Sequence, residues 1–328
     1  MIRSLFFHNE KIQMNLTREQ IETAFQGKQG LLWVDFSEEP AENCEPFLKD
    51  SFGFHPLSVA DALEQTHVPR MDDWGEYLYL VLHSLCYSPE DDGDLLDSQE
   101  LDIFLGVTFL VTYHYDPITT IDTVWKTIGS DQRYLTQGAD HLFYKLADDL
   151  ISAYMPVVDE MDEELDRIED LVFNDPSEVV LENVFAVKRS LVHLRRMLAP
   201  MREVFNKLAR GDDKIIEKHE RVFFRDIYDH LVRLYDITES LRDLMAGVLD
   251  TYLSVINQRM NEVMKTLTII ATIFMPLSFI VGFFGMNFFA KKVPVESFTS
   301  MPVFYLVLFS CIAVPVGMYV WMRSRKWM

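Results

Sequence analysis

Two uncharged runs near the C-terminal end limit what this chain can fold into. Thr266 to Ala290 gives 25 consecutive residues without a charge, and Ser297 to Met322 gives 26. Each exceeds the roughly 20 apolar residues that carry a helix across a bilayer. Only Lys291, Lys292 and Glu296 bring charge between them, so the chain is expected to cross the membrane and return after a short loop. An ordinary soluble protein is excluded.

The charge is unevenly spread. Beyond Met264, six basic residues and one acidic residue leave +5, so the first 264 residues carry −26 of a total of −21. A nucleic-acid binder of the basic kind is therefore not expected. The acidic region is long enough to bury its own core. The three cysteines, Cys44, Cys86 and Cys311, form neither a disulfide framework nor a zinc knuckle. The opening MIRSLFFHNEKIQ has no apolar core of signal-peptide length. Arg259, Lys265, Arg323, Arg325 and Lys326 flank the two runs on one side, against Lys291 and Lys292 in the loop. Together these features predict an inner-membrane protein with both termini in the cytoplasm.

The stretches 30–36, 76–85, 100–106 and 107–115 are short, rich in Val, Leu, Tyr and Phe, and bounded by turn or charged residues. Helical patches at 18–27 and 56–65 lie between them. Residues 1–135 are thus expected to form a cytoplasmic α/β domain, a small mixed sheet with flanking helices. The stretch 136–265 reads as a cytoplasmic stalk of long helices: one from 140 to 173 with a kink or break near Pro156, one from 176 to 210, and one from about 215 that continues into the membrane. Then follow a first membrane helix at 266–287, an outer loop at 288–301, a second membrane helix at 302–322 and a basic tail at 323–328.

Two apolar or small-residue series step by three and four along the third helix. Ile227, Leu231, Leu234, Leu241, Met245, Val248 and Val255, with Thr238 and Tyr252 between, form a coiled-coil-like seam. The alternative is an amphipathic helix packed on its own domain; the length of the helix favours the seam. The second series, Asn257, Asn261, Met264, Thr268, Ala271, Met275, Ser278, Gly282 and Gly285, is small, polar or flexible. The bulky Ile269, Ile270, Ile273, Phe274, Leu277, Phe279, Ile280 and Val281 lie off it. Lipid-facing surfaces favour bulky apolar side chains, and small or polar ones face protein or water. The series is read as a pore face, with close helix packing through small residues as the alternative. Two spans cannot enclose a pore, so several copies about an axis are required. Pro276 frees a backbone carbonyl in the span, which needs a partner such as pore water.

The first span closes on Gly285-Met286-Asn287, after Asn257–Phe284 and before a second span and a basic tail. Together with Phe54-His55-Pro56-Leu57, Asp61, Leu63 and Pro69, this resembles the CorA family of divalent-cation channels over nearly the whole chain. The resemblance implies a homopentamer: a cytoplasmic α/β funnel, a long helical stalk, and two membrane helices per chain, with the lipid bilayer and divalent cations as its partners. It implies that Gly285, Met286 and Asn287 form the selectivity filter, with Asn287 meeting the hydrated ion outside. Asn261, Met275 and Ser278 face the pore, and Met264 and Leu267 form a hydrophobic constriction. Asp250 binds a regulatory ion between protomers. Leu267 lies one residue off the periodic stripe at Thr268, which leaves the helix rotation open at that point.

Mg²⁺ dehydrates reluctantly, and neutral carboxamides can hydrogen-bond its waters without stripping them. Hydrated Mg²⁺ influx, driven by the membrane potential and gated by intracellular Mg²⁺, is the expected function. The loop 288–302 carries +1 rather than acidic residues and so does not focus cations. That keeps Zn²⁺, Co²⁺ or Ni²⁺ transport by a divergent branch open, although no His or Cys lies on the stripe to bind bare Zn²⁺. Ten acidic residues between Asp148 and Asp170 read first as a solvated helix face, and second as a cation attractor. A membrane-tethered cytoplasmic binding module remains a further alternative. An enzyme is not expected: His55 with Asp61 and His67 is too generic to serve as a site, and no phosphate-binding GxxxxGK motif is present.

Overall fold

A computed structural model describes residues 1–65, 68–88, 95–286, 300–325 and 327. They divide into two compact units, Met1–Thr251 and Tyr252–Met328.

The first unit is built on a seven-stranded sheet. Its strands are β1 (Ile2–His8), β2 (Lys11–Met14), β3 (Leu31–Ser37), β4 (Arg70–Asp73), β5 (Leu78–Tyr87), β6 (Leu96–Leu105) and β7 (Phe109–His114), ordered β2-β1-β3-β7-β6-β5-β4. β3 pairs with β7 in parallel, and the other pairings are antiparallel. The sheet is larger than the sequence suggested, because β1, β2 and β4 were not among the expected strands. β2 and β4 are four-residue edge strands without an apolar run. Between parallel neighbours β3 and β7 come α2 (Ala41–Pro46), α3 (Pro56–Leu63) and the whole β4–β6 meander.

The central strands read as continuous apolar runs because both faces of the sheet are covered. Val34, Phe36, Tyr79, Phe104 and Val111 point into a core shared with Phe47, Leu48, Phe52, Phe54 and Val59 from the α2–α3 segment. Trp33 faces the other way, with its ring 4.6 Å from that of Trp125 on α4 (Thr119–Ser130). Between α1 (Arg18–Gly27) and β3, Gly30 takes φ +84°; a Cβ there would lie 2.3 Å from the Phe7 carbonyl oxygen.

A short α5 (Arg133–Thr136) leads into α6 (Ala139–Ser152) and α7 (Tyr154–Asn174). The helix from 140 to 173 breaks at Ala153, near Pro156 as expected. The break puts Pro156 in the first turn of α7, where an amide proton has no helical acceptor in any case. The Tyr154 hydroxyl, buried at this corner, donates to the His83 carbonyl on β5. α8 (Glu178–Arg210) ends on Gly211 at φ +72°. α9 (Arg221–Phe284) begins six residues later than expected, because Asp213 first caps a tight turn by accepting from the amides of Ile215 and Ile216.

The seam on α9 requires a correction. Ile227, Leu231, Leu234, Thr238, Leu241, Met245 and Val248 are buried within this one chain. α8 lies alongside: Arg195 pairs with Glu239 at 3.1 Å, and the Arg202 guanidinium sits 4.8 Å over the Tyr235 ring. Phe205 on α8 and Phe143 on α6 flank Phe224. The series is the packing face of an amphipathic helix on its own domain. The acidic residues of α7 sit on the face opposite Val157, Met161, Leu165, Ile168 and Val172, which are buried, as expected for a solvated face.

Candidate functional site

In the second unit, α10 (Met301–Ser324) follows the end of α9. Both helices are long and apolar enough to cross a membrane, with a mean hydropathy of 2.2 over their most apolar windows. Half-buried residues fall on one stripe of each. On α9 they are Ile269, Thr272, Ile273, Pro276, Leu277 and Ile280; on α10 they include Val303, Val307, Cys311, Val314 and Met318. A groove lined by Thr268, Ala271, Met275 and Pro276 of α9 and by Met318 of α10 runs along one flank.

The small and polar series overlaps that groove at Thr268, Ala271 and Met275, which border Met318 of α10, and otherwise lies away from the half-buried stripe. Asn257, Asn261, Met264, Thr268, Ala271, Met275, Ser278, Gly282 and Gly285 are all exposed. At 100° per residue, their line is centred roughly 150° around the helix from the half-buried stripe. Leu267 and Thr268 flank that line on opposite sides, and Leu267 is 66% exposed. The same step places both near the face, and the question of helix rotation does not force a choice between them. The hydroxyls of Thr268 and Thr272 donate to backbone carbonyls one turn back, at 2.8 and 2.7 Å. They present their methyl groups and keep lone pairs available as acceptors.

α9 ends where the Gly-Met-Asn segment begins. The Gly285 amide donates to the Val281 carbonyl at 2.8 Å, and Met286 donates to Phe283 at 3.4 Å. A Cβ on Gly285 would come within 2.9 Å of the Val281 oxygen, so the last turn is too tight for a side chain without movement. Asn287 and nearly all of the outer loop lie outside the described residues.

Asp250 is exposed on α9. It precedes the buried Tyr252 by two residues, which puts it about 160° around the helix from that contact. Among the described residues, no group of three or more His, Cys, Asp or Glu side chains could hold a metal ion. One carboxylate is compatible with Mg²⁺, which keeps several waters and takes few protein ligands.

The sequence reading missed the buried carboxyl groups of the sheet, Asp35, Glu100 and Asp102, far from these residues in the chain. Asp35 accepts from Thr112 Oγ1 at 2.5 Å and from Arg3 Nε at 2.7 Å, and His114 Nε2 lies 3.4 Å away. Asp102 accepts from the Tyr79 hydroxyl at 2.5 Å. Burial pushes Asp102 well above the usual carboxylate range, against the Tyr79 hydrogen bond that favours its charged form. An acidic residue inside an apolar strand run, as in Val34-Asp35-Phe36 or Leu101-Asp102-Ile103, was the available signal for a buried polar network.

Comparison with known proteins decides the family. The sequence matches the family described as CorA-like Mg²⁺ transporter protein over residues 28–325. The chain belongs to this family. It is 35% identical over 300 residues to the cobalt/magnesium transport protein CorA of Thermotoga maritima, covering 90% of this chain and 83% of that one. It is 33% identical over 296 residues to the putative metal ion transporter YfjQ of Bacillus subtilis, covering 90% and 89%. The fold superposes on the complete CorA magnesium transporter from Methanocaldococcus jannaschii with a TM-score of 0.84 at 22% identity, over 100% of this chain and 99% of that one. The CorA-like chain is therefore a membrane transporter of divalent cations, not an enzyme. Its fold is a cytoplasmic α/β domain, long helices and two membrane helices.

Proposed function

We propose that five copies of this chain surround one pore and that α9 of each lines it. Hydrated Mg²⁺ is the cargo and enters the cytoplasm. What supports the reading is a single observation: a small, polar face of α9, from Asn257 to Gly285, is exposed along its length, including where Thr268, Ala271 and Met275 border a groove beside Met318 of α10. A face of this character directed at lipid would forgo the bulky apolar packing that lipid favours. Copies arranged about an axis cover it and supply it with water.

In this arrangement Asn287 of each chain presents an uncharged carboxamide to the waters of the entering ion, positioned by the tight turn at Gly285 and Met286. Ser278, Thr268, Asn261 and Asn257 offer further neutral oxygens along the path. Met264 and Leu267, both exposed apolar side chains, narrow it and gate by dewetting. The membrane potential supplies roughly 4–5 kcal/mol per 100 mV for inward movement of a divalent ion, so no nucleotide hydrolysis is required. Asp250 carboxylates of neighbouring chains are bridged by intracellular Mg²⁺ and repel each other when it is absent, which shifts the population toward an open state. The protein lies in the inner membrane with both termini in the cytoplasm.

The deciding experiment is ion flux into liposomes that hold the purified protein, read with Mg²⁺- and Zn²⁺-sensitive dyes. Mg²⁺ entry that an exchange-inert hexaammine complex blocks, and that Asn287→Ala reduces, is the expected result. Entry of Zn²⁺, Co²⁺ or Ni²⁺ in preference to Mg²⁺ would assign the chain to a divergent branch. Absence of flux with every ion leaves only the tethered-module reading.

A further inference from the structure

The cytoplasmic unit contains a cavity that ion conduction does not use. It holds about 490 Å³ and lies between the α2–α3 segment, the β6–β7 turn and the α8–α9 connection. That volume suits a small-molecule site. Its floor and walls are aromatic. Phe52 stacks on Phe54 at 5.3 Å and 11°, and Phe54 on Phe104 at 4.4 Å and 4°. Phe25 and Phe109, half-buried and 4.8 Å apart, form the wall. The faces of Phe54 are taken by Phe52 and Phe104, so this buried stack fixes the floor, and the half-buried Phe25 and Phe109 are the rings that a ligand can reach.

The rim has a different chemistry. Gly53 and Gly75 turn there with φ of +67° and +82°, and a Cβ on either would meet open space. Lys28, in the left-handed cap of α1, and Lys214, between α8 and α9, reach the same cavity from separate parts of the chain. Neither ammonium makes an ion pair among the described residues. Glu76 is the acidic residue of the lining, so the rim is net positive by one charge. An apolar ligand alone would have no use for two converging cations in a region carrying −26, and an anion alone would have no use for the aromatic wall. A planar ring joined to an anionic group satisfies both.

We infer that this cavity binds a nucleoside phosphate, with the base packed against the aromatic wall of Phe25 and Phe109 and the phosphate hydrogen-bonded by Lys28 and Lys214. Base-on-aromatic stacking tolerates any base, so discrimination comes from the phosphate. Because Lys214 lies seven residues before Arg221, where α9 begins, the bound ligand ties the sheet to the connection that leads into α9.

Calorimetric titration of the full-length protein in nanodiscs, with excess EDTA, tests this with adenosine monophosphate, adenosine and inorganic phosphate as separate probes. Adenosine monophosphate is expected to bind at least about tenfold more tightly than either fragment, a difference of about 1.4 kcal/mol. K28M/K214M is expected to remove that advantage while leaving adenosine binding unchanged. Val107→Trp, at the exposed rim, is expected to block both without changing the melting temperature. No binding of adenosine monophosphate at millimolar concentration overturns the inference, as does equal affinity for adenosine or an unaltered affinity in the double variant. Divalent ions are absent and flux is not measured, so a negative result leaves the conduction reading standing.

Discussion

Asp35 is the residue whose loss the structure prices most directly. It is fully buried in β3, and its carboxylate holds Arg3, Thr112 and His114 around one point. Burial works against its charge, but His114, Arg3 and Thr112 outweigh that and hold it below the usual carboxylate range. His114 is displaced the other way: burial favours the neutral ring, yet Asp35 and the Asp116 carbonyl bring it above the usual imidazole value. Asp35→Asn keeps the shape and one acceptor but removes the charge. Breaking a buried pair costs about 3–5 kcal/mol. Arg3 is still held by Asp122 at 2.7 Å and by the Trp125 ring, so the lower end applies, about 3 kcal/mol. For a unit of this size that is a fall of about 6–12 °C in melting temperature. Its pH dependence follows from the signs. The lowered Asp35 contributes above its unfolded value of about 3.9 and loses that contribution as pH falls through its folded pKa. The raised His114 contributes below about 6.5 and loses its share as pH rises through its folded pKa. The gap between wild type and variant is therefore widest between about pH 4 and 6.5, and at pH 8.5 it narrows to what Arg3 and Thr112 sustain. Thermal melts at pH 5.5 and 8.5, with hydrogen exchange of β3 and β7 amides, measure it. A fall of under about 2 °C at pH 5.5, or an equal gap at both pH values, refutes the reasoning.

Tyr79→Phe takes from the buried Asp102 the hydroxyl that donates to it at 2.5 Å; an expected loss of about 1–3 kcal/mol is read by denaturant or thermal unfolding. Ser278→Phe places bulk on the exposed polar face and is expected to abolish Mg²⁺ flux, whereas Phe279→Leu, one position around the helix, leaves flux within about twofold; equal effects would sink the assignment of the face. Asp250→Ala removes the proposed regulatory carboxylate, so flux should persist when Mg²⁺ is raised inside the liposomes, and unchanged inhibition by internal Mg²⁺ counts against that role.

What could be read from the sequence depended on how each segment is buried. β3, β5, β6 and β7 are covered on both faces, so their composition announced them. The edge strands have no such pressure: Lys11–Met14 and Arg70–Asp73 carry few apolar residues, and their pairing is dictated by neighbours far along the chain. The membrane helices were legible because lipid forbids charge over their whole length. The Asp35 and Asp102 networks were not, because their partners, Arg3, Thr112 and His114 in one case and Tyr79 in the other, come together only through the sheet register.

The two series on α9 show where periodicity stops being informative. Both step by three and four, and that stepping is the geometry of any left-handed helix pair, whether one chain or several supply the partners. Ile227 to Val248 turned out to face α8 of the same chain, yet nothing in their spacing distinguishes them from Asn257 to Gly285. Side-chain character does. A face of Ile, Leu, Met and Val finds its partner by burying apolar area from water, and the nearest source is the chain's own α8, brought back by the Gly211 turn. In a membrane that driving force vanishes, since lipid is as apolar as leucine. There a run of Asn, Thr, Ser and Gly, bordered by α10 only at the groove beside Met318, stays exposed until something small, polar or wet meets it. The uncovered face is therefore the physical demand for further copies of the chain. If cross-linking through cysteines at Ala271 or Ser278 yields monomers alone in the bilayer, with lipid-facing spin-label mobility at the same sites, that demand does not exist and the pore reading fails with it.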